Sequence, residues 1–296
     1  MLAKYVKVYA QDCSLIHRIA SLIMKIMLRI WNITPRQNIK LDLKDASSLD
    51  AVTRQLPDGY YSTFRTYEEC KLVLGLKAHL RRLYNPVASP DVSASFLRRQ
   101  LPPLLVHFLP DEARVRLIMT VQGKVYVAAE PLKPLSAEVY ENGVRVETTQ
   151  IHRESPHLKS TAFIGTSASE RKHIAHEGIF EALLVKSGKI LEGMTSNFFY
   201  ITDNILYTAQ HGILLGVTRR TVIHLARGRG VEVKYQPLKH DQLSTVDEAF
   251  ITSSSRGVVP VIKIDEARVG QGTPGQITRM LRSAYDKYVI SKAERI

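Results

Sequence analysis

The sequence contains few cysteines, and they lack the spacing of a metal site or a redox motif. Cys13 and Cys70 are the two cysteines in 296 residues. This excludes a small secreted scaffold built on disulfides and favours a reducing compartment, so we expect a cytoplasmic protein. Hydrophobic residues make up 45% and charged residues 23% of the chain, which is ordinary globular composition.

Motifs for nucleotide and nucleic-acid binding are also missing. The sequence has no Gly-x-x-x-x-Gly-Lys loop and no Gly-x-Gly-x-x-Gly fingerprint. A net charge of +13 suits an acidic partner, but nearly half of it lies in residues 1–40, where Asp12 is the single acidic residue. His173 and His176 have too few neighbouring ligands for a metal site. We therefore expect no nucleic-acid partner and no metal.

No apolar run is long enough and uncharged enough to cross a membrane. Leu15 to Trp31 has helical spacing but carries Arg18, Lys25 and Arg29, which predicts an amphipathic helix and no membrane span. The charges and the lack of a cleavage site argue against a signal peptide. Three interpretations stay open: a helix docked on the body, an interfacial membrane helix, or an upstream extension of the reading frame. Docking and extension are favoured.

The remaining chain predicts an α+β protein with two domains. We expect an N-terminal extension with the amphipathic helix at 1–44, a small α/β domain at 45–134, and a larger, β-rich α/β domain at 135–296. Residues 45–58 are polar and irregular. Thr218 and Thr273-Pro274 are placed to open two helices. Strands are predicted near 59–67, 114–122, 124–131, 144–151, 181–201 (a hairpin), 204–208, 231–235, 248–257 and 258–264, and helices near 74–84, 93–108, 166–178, 216–227 and 274–289.

The hairpin predicted at 181–201 contains the most unusual local pattern. Ser187-Gly188 favours a tight turn between two apolar runs. The second run is interrupted by Glu192-Gly193 and then by Thr195, Ser196 and Asn197, which are poor strand formers. Such violations concentrate at functional sites, although a polar bulge explains them equally well.

Two further stretches could bind an anion. Val217 and Thr218 open a helix, so their backbone N–H groups can donate to a phosphate. Residues 253–255 are three serines at a strand end and offer hydroxyl and N–H donors. One carboxylate and a phosphate pocket together suggest a phosphorylated cofactor with a positively charged ring.

Three motifs occur in an order and spacing that resemble the class IV aminotransferases, the fold type IV pyridoxal-phosphate enzymes. They are Glu192-Gly-Met-Thr-Ser-Asn197-Phe198, Gly216-Val-Thr-Arg219, and Asp247-Glu-Ala-Phe-Ile-Thr-Ser-Ser254 followed by Pro260-Val261. This family includes branched-chain and D-amino-acid transaminases and aminodeoxychorismate lyase. The resemblance implies a small N-terminal and a larger C-terminal cofactor-binding domain, pyridoxal 5'-phosphate as cofactor, and a homodimer.

The resemblance also implies roles for individual residues. Lys159 would hold the cofactor as a Schiff base, and Glu192 would pair with its ring nitrogen. Arg82, in a His-x-x-Arg-Leu motif, would bind the phosphate. The other implied phosphate-binding residues are Val217, Thr218, Ser254 and Ser255, and the implied substrate residues are Tyr61, Arg65, Thr195 and Arg256. For Arg256, an ordinary surface charge is an open alternative.

The sequence departs from the family pattern in the first half of the chain and just beyond it. Ile164 stands where the family often has a tyrosine, and Ser62 stands where a glutamate is usual. We expect a transaminase that moves an amino group between an amino acid, of the branched-chain or D-amino-acid type, and a 2-oxo acid. A lyase of the aminodeoxychorismate type and a non-catalytic descendant are the alternatives.

Overall fold

The computed structural model of the protein describes residues 28–296. The predicted helix from Leu15 to Trp31 lies mostly outside the described residues, and its last positions are wrong. Arg29–Ile33 form a strand, because Ile30, Trp31 and Ile33 bury their side chains against the first sheet. This strand pairs antiparallel with residues 125–129, so the chain before residue 45 contributes to that sheet.

The first sheet has five strands. They are β1 Arg29–Ile33, β2 Asn38–Leu41, β3 Gly59–Arg65, β5 Ala113–Thr120 and β6 Val125–Pro131, in the order β2-β1-β6-β5-β3. The strand predictions at 59–67, 114–122 and 124–131 are confirmed within a few residues. The segment at 45–58, predicted to be irregular, contains a short helix whose cap, Ser48, accepts a hydrogen bond from the Ala51 N–H at 3.2 Å.

The second sheet has ten strands and closes on itself. Its strands are β7 Val144–Thr149, β8 Glu181–Lys186, β9 Lys189–Gly193, β10 Asn197–Thr202, β11 Ile205–Tyr207, β12 Val233–Lys234, β13 Leu238–Lys239, β14 Glu248–Ser253, β15 Gly257–Ile264 and β16 Ala267–Arg268. The path is β12-β11-β10-β14-β15-β7-β8-β9-β13, and β9 also pairs with β10. That extra pairing joins Glu192 to Asn197 and closes a ring of six strands around an apolar core.

The predicted hairpin is confirmed in its first arm and turn, and its second arm is two strands. Ser187 and Gly188 have φ values of 50° and 68°, as a tight turn between β8 and β9 requires. The polar residues after Glu192 form the turn from β9 to β10. The interruption in the sequence pattern is therefore the point where the ring of strands closes.

Eight α-helices lie among the described residues, and two of their predicted caps are wrong. The helix at Val217–Arg227 begins after Gly216, and Thr218 lies inside its first turn with a buried hydroxyl. The last helix begins after Gly275, and the Glu248 carboxylate accepts from its first backbone N–H groups. The helices are α1 Leu49–Arg54, α2 Leu76–Tyr84, α3 Ala94–Leu105, α4 Ala137–Asn142, α5 Ala162–Thr166, α6 Ala168–His176, α7 Val217–Arg227 and α8 Gln276–Lys292.

Two strand pairings join the halves of the chain among residues 28–296. Glu294–Arg295 (β17) pairs with Leu72–Val73 (β4), so the end of the chain packs against the first half. Residues 159–161 pair with the free edge of β3. The second contact holds a loop of the larger half against the smaller one, and the main cavity lies beside it. No helix among residues 28–296 is both long enough and apolar enough to span a membrane.

Candidate active site

A cavity of about 500 Å³ lies between the two halves and takes side chains from both. This volume is within the range of roughly 300–1,000 Å³ that is usual for small-molecule sites. All but one of the site residues predicted from the sequence line it. They are Tyr61, Arg82, Lys159, Glu192, Thr195, Val217, Thr218, Ser254, Ser255 and Arg256. The exception is Arg65, whose guanidinium lies 4.7 Å from the centroid of the Tyr67 ring.

Lys159 reaches the cavity because its backbone is fixed to the edge of β3. The Tyr61 N–H donates to the Lys159 carbonyl at 2.9 Å, and the Thr161 N–H donates to the Gly59 carbonyl at 2.9 Å. The Lys159 Nζ lies 4.8 Å from the centroid of the Tyr61 ring. Burial, with the charges of Arg82 and Arg153, lowers the pKa of the Lys159 amine well below its usual value. The amine can therefore lose its proton closer to neutral pH than an exposed lysine.

Glu192 lies near the end of β9 and is almost fully buried, with 2% of its surface exposed. Its Oε1 accepts from Arg153 Nε at 3.0 Å, and its Oε2 accepts from the Leu214 N–H at 3.0 Å. Burial raises the pKa of Glu192 to about 7, although Arg153 and the Leu214 N–H oppose this shift. A nearby positive charge from a ligand would favour the ionised carboxylate.

Arg153 is the main residue of this site that the sequence does not reveal. Besides Glu192, its guanidinium donates to the Met194 carbonyl at 2.6 Å and lies 3.8 Å from the centroid of the Phe163 ring. Its Nη1 is buried and has no hydrogen-bond partner among residues 28–296. In the sequence it is one more arginine in a polar loop, and no pattern there separates a buried guanidinium from an exposed one.

The start of α7 forms one wall of the cavity, with its backbone N–H groups at Val217 and Thr218. A side chain on Gly216 would collide with Asn197, since a Cβ there would lie 2.2 Å from Asn197 Oδ1. Glycine thus allows the helix start to approach the β9–β10 turn. The Thr218 hydroxyl is buried without a hydrogen-bond partner in the described chain. Ser254 and Ser255 lie in the turn between β14 and β15, on the same cavity.

Arg82, on α2, is oriented by two side chains of the smaller half. Its Nη2 donates to the Ser62 hydroxyl at 2.7 Å, and Ser62 lies 2.9 Å from His79 Nδ1. Burial and neighbouring cations, foremost Arg82, hold the pKa of His79 well below its usual value, so this imidazole is neutral. The Arg82 Nε is buried and lacks a partner within residues 28–296. Ser62, noted as a departure from the family pattern, thus contacts a predicted phosphate ligand.

Arg256 is held at the cavity by a buried carboxylate. Its Nη2 donates to Glu181 Oε2 at 2.8 Å and to Thr195 Oγ1 at 2.5 Å. Glu181 is 2% exposed and lies at the start of β8. This arrangement makes Arg256 a fixed cation at the cavity and not an ordinary solvated surface charge.

A second ion-pair group lines the cavity and was also missed from the sequence. Asp50 Oδ1 lies 2.7 Å from Arg116 Nη1, and Asp50 Oδ2 lies 3.4 Å from Arg171 Nη1. Burial alone would raise the pKa of Asp50, but these arginines hold it below its usual value. The group links α1 of the smaller half to α6 of the larger half, so its ion pairs hold these two helices together beside the cavity.

Ile164 is fully buried in an apolar cluster with Tyr61 and Ile118. It therefore adds packing, with no hydrogen-bond donor, where the family often has a tyrosine.

The two histidines considered for a metal face exposed or half-buried carboxylates, namely Glu147 at 3.6 Å from His173 and Glu177 at 2.8 Å from His176. Among the described residues, no group of three or more His, Cys, Asp or Glu side chains could hold a metal ion.

Comparisons with known proteins agree with this geometry. The family model for amino-transferase class IV matches residues 59–264. Aminodeoxychorismate lyase of Bacillus subtilis is 30% identical over 260 residues, covering 78% of this chain and 85% of that protein. D-alanine aminotransferase of Bacillus licheniformis is 27% identical over 266 residues, covering 81% of this chain and 91% of the relative.

A solved structure has the same fold. It is a T.th. branched-chain amino acid aminotransferase with pyridoxamine 5'-phosphate, which superimposes with a TM-score of 0.73 at 25% identity and covers 89% of this chain and 94% of that one. The three similar proteins carry three different activities in their names. Similarity therefore identifies the fold and the family but does not identify the substrate.

Proposed function

This chain belongs to the class IV aminotransferases, and on that premise we propose that it is a pyridoxal-phosphate-dependent transaminase of amino acids and 2-oxo acids. The observation that carries the proposal is the placement of Lys159, whose amine has a lowered pKa, and of the buried carboxyl of Glu192 on one cavity. The donor types named for the relatives, branched-chain and D-amino acids, are the first candidates for the amino donor.

The residues present fit the phosphate of this cofactor. The buried Thr218 hydroxyl and the buried Arg82 Nε both lack a partner in the described chain, and both residues line the cavity beside the start of α7. Unpaired buried donors cost free energy unless a ligand satisfies them. Val217 and Thr218 N–H groups, Ser254, Ser255 and Arg82 would hold the phosphate.

A second group of cavity residues, Glu192 and Lys159, fits the ring of the cofactor. When bound, the cofactor supplies a cationic ring that withdraws electrons from the substrate Cα. Glu192, held by Arg153 and the Leu214 N–H, would keep the ring nitrogen protonated. Because its pKa is lowered, a larger fraction of the Lys159 amine is unprotonated than for an exposed lysine, and the unprotonated amine would accept the proton from the substrate Cα. Tyr61, Thr195 and Arg256 line the cavity and would bind the substrate, with Arg256 pairing with a carboxylate.

Amino-group transfer is tested by incubating the protein with 2-oxoglutarate and a panel of L- and D-amino acids, and by measuring both products. We expect one donor to yield its 2-oxo acid and glutamate in equal amounts. A lyase would release product without consuming the 2-oxo acid acceptor, and this outcome would replace the transaminase proposal. Failure of the protein to take up pyridoxal phosphate would exclude both activities.

We also propose that the active form is a cytoplasmic homodimer, as the family resemblance and the cysteine content suggest. Sedimentation equilibrium of the full chain, with a monomer mass of 33.4 kDa, tests the dimer. A mass that stays at the monomer value over micromolar concentrations would contradict it.

A further inference from the structure

The proposed phosphate site is divided between the two halves of the chain. Arg82 comes from α2 of the smaller half, whereas Val217, Thr218 and the serine turn come from the larger half. A guanidinium binds a phosphate well only when its planar set of donors faces the oxygens, so the position of α2 relative to α7 decides whether both halves can contact one phosphate. The contacts that fix α2 against α7 therefore matter for phosphate binding.

Leu74, just before α2, packs into the core of the other half. It is 8% exposed and belongs to an apolar cluster built from β10, β11, β14, β15, α7 and α8. Every other buried member of that cluster lies between Phe199 and Val289. Val73, the preceding residue, is instead buried in the core of the smaller half together with Leu76 of α2. The chain thus passes from one core to the other at Leu74 and returns at Leu76.

Gly75 brings the start of α2 against the start of α7. Its φ is 67°, in the left-handed region that favours glycine, and a Cβ there would lie 2.7 Å from Val217 Cγ1. Before Leu74, the backbone of β4 pairs with β17, which follows α8, and the Ile296 N–H donates to the Lys71 carbonyl at 3.1 Å. The larger half therefore holds the approach to α2 by strand pairing, by an apolar side chain and by a close backbone contact.

We propose that Leu74 is a positioning residue for the cofactor phosphate and acts through Arg82. This role rests on the proposed function, because it requires pyridoxal phosphate as the ligand. Arg82 lies about two turns along α2 from Gly75, so a small tilt of α2 about its start displaces the guanidinium. Leu74, fixed in the larger half, opposes that tilt. Without it, Arg82 would keep its hydrogen bond to Ser62 within the smaller half but lose its alignment with the N–H groups of α7.

The test compares Leu74→Ala with Leu97→Ala. Leu97 is a buried leucine of α3 in the core of the smaller half, so the control removes the same side chain away from the contact between the halves. The affinities of the cofactor-free proteins for pyridoxal phosphate and for pyridoxal are measured. Their ratio isolates the phosphate, because the two ligands share the ring. We expect this ratio to fall about tenfold in Leu74→Ala, as for the loss of one charge-assisted hydrogen bond, and to keep its native value in Leu97→Ala.

Two further measurements separate positioning from a general loss of stability. In Arg82→Gln the ratio is already low, and adding Leu74→Ala should lower it no further if Leu74 acts through Arg82. Hydrogen exchange of the cofactor-free proteins should be faster throughout α2 in Leu74→Ala than in Leu97→Ala. Where an alanine variant does not fold, Leu74→Val and Leu97→Val replace the pair, with a smaller change expected in the same direction.

The role of Leu74 would be overturned by an unchanged ratio in Leu74→Ala, by equal losses in both alanine variants, by additive losses in the double variant, or by equal exchange in α2. These outcomes apply to a native protein that takes up pyridoxal phosphate. A native protein that takes up none would overturn the proposed function, and this role with it.

Discussion

Two groups of cavity residues differ in which polar groups the protein pairs by itself: Glu192 and Arg153, proposed for the cofactor ring (the ring end), and Thr218 and Arg82, proposed for its phosphate (the phosphate end). At the ring end, both oxygens of Glu192 accept hydrogen bonds, from Arg153 and the Leu214 N–H. At the phosphate end, the Thr218 hydroxyl and the Arg82 Nε are buried without partners in the described chain. At the ring end, folding pairs both oxygens of the buried carboxylate and leaves Arg153 Nη1 without a partner among residues 28–296, whereas at the phosphate end both donors are left for the proposed phosphate. We therefore expect a substitution at the ring end to lower the stability of the cofactor-free protein. A substitution at the phosphate end should lower cofactor affinity and leave that stability nearly unchanged.

The largest effect is expected for Glu192→Gln at the ring end. The amide keeps the shape but puts an NH2 group against either Arg153 or the Leu214 N–H, so one buried donor loses its acceptor and the free energy of unfolding should fall by about 1–3 kcal/mol. Turnover should fall by about 10²-fold or more, since a neutral amide no longer stabilises the protonated ring. Urea denaturation and steady-state kinetics measure the two losses.

The matched control for this change is Glu177→Gln, an exposed carboxyl beside His176. It should leave both quantities unchanged. If Glu192→Gln were as stable as the native protein, Arg153 and the Leu214 N–H would not depend on the two carboxylate oxygens, and this difference between the ring end and the phosphate end would be contradicted.

A smaller and opposite effect is expected for Thr218→Val at the phosphate end. The change removes a buried hydroxyl without a partner, so the cofactor-free protein should be as stable as the native protein or slightly more stable. Affinity for pyridoxal phosphate should fall about tenfold, because a phosphate oxygen loses a donor. Affinity for pyridoxal, which has no phosphate, should not change. Loss of stability together with unchanged cofactor affinity would contradict this division of roles.

A third effect is a dependence of stability on pH. The amine of Lys159 has a lowered pKa in the folded, cofactor-free protein, so the unfolded chain binds more protons above that pKa. Stability should therefore rise with pH from the folded pKa of Lys159 up to about 10.4, the ordinary value, by at most about 1.4 kcal/mol per unit. Lys159→Met should remove this rise.

Glu192 produces a slope of the opposite sign at lower pH. Its pKa is raised to about 7, so the folded state binds the extra proton between the ordinary glutamate pKa of about 4.3 and the raised value, and stability should fall as pH rises through that window. Denaturation of the cofactor-free protein at several pH values separates the two slopes. An unchanged profile in Lys159→Met would show that this amine is not buried.

The sequence predicted the parts of this protein that are local or that carry a strong motif. Helices at 76–84 and 217–227 follow from apolar spacing, and the Ser187-Gly188 turn follows from its residue types. The strand at Arg29–Ile33 was missed because Trp31 and its isoleucine neighbours are compatible with either a helix or a strand. The choice between them depends on pairing with residues 125–129, far along the chain.

In the candidate site too, residues marked by motifs were predicted, and residues whose roles depend on long-range contacts were not. Lys159, Glu192 and Arg82 were assigned to the candidate site because motifs and their spacing mark them in the sequence, and all three line the cavity. Arg153 and Glu181 were missed because their roles are defined by long-range contacts, at Glu192 and Arg256 respectively. The cap assigned to Thr218 was wrong for a related reason, since Thr218 lines the cavity from inside the first turn and Gly216 takes the cap position.

The most direct test of this account is to identify the lysine that holds the cofactor. The protein is saturated with pyridoxal phosphate, reduced with borohydride, digested and analysed by mass spectrometry. We predict one phosphopyridoxyl group per chain, on the peptide that contains Lys159, and none in the Lys159→Ala variant. Labelling of a different lysine, or no stoichiometric label in the native protein, would contradict the assignment of the site.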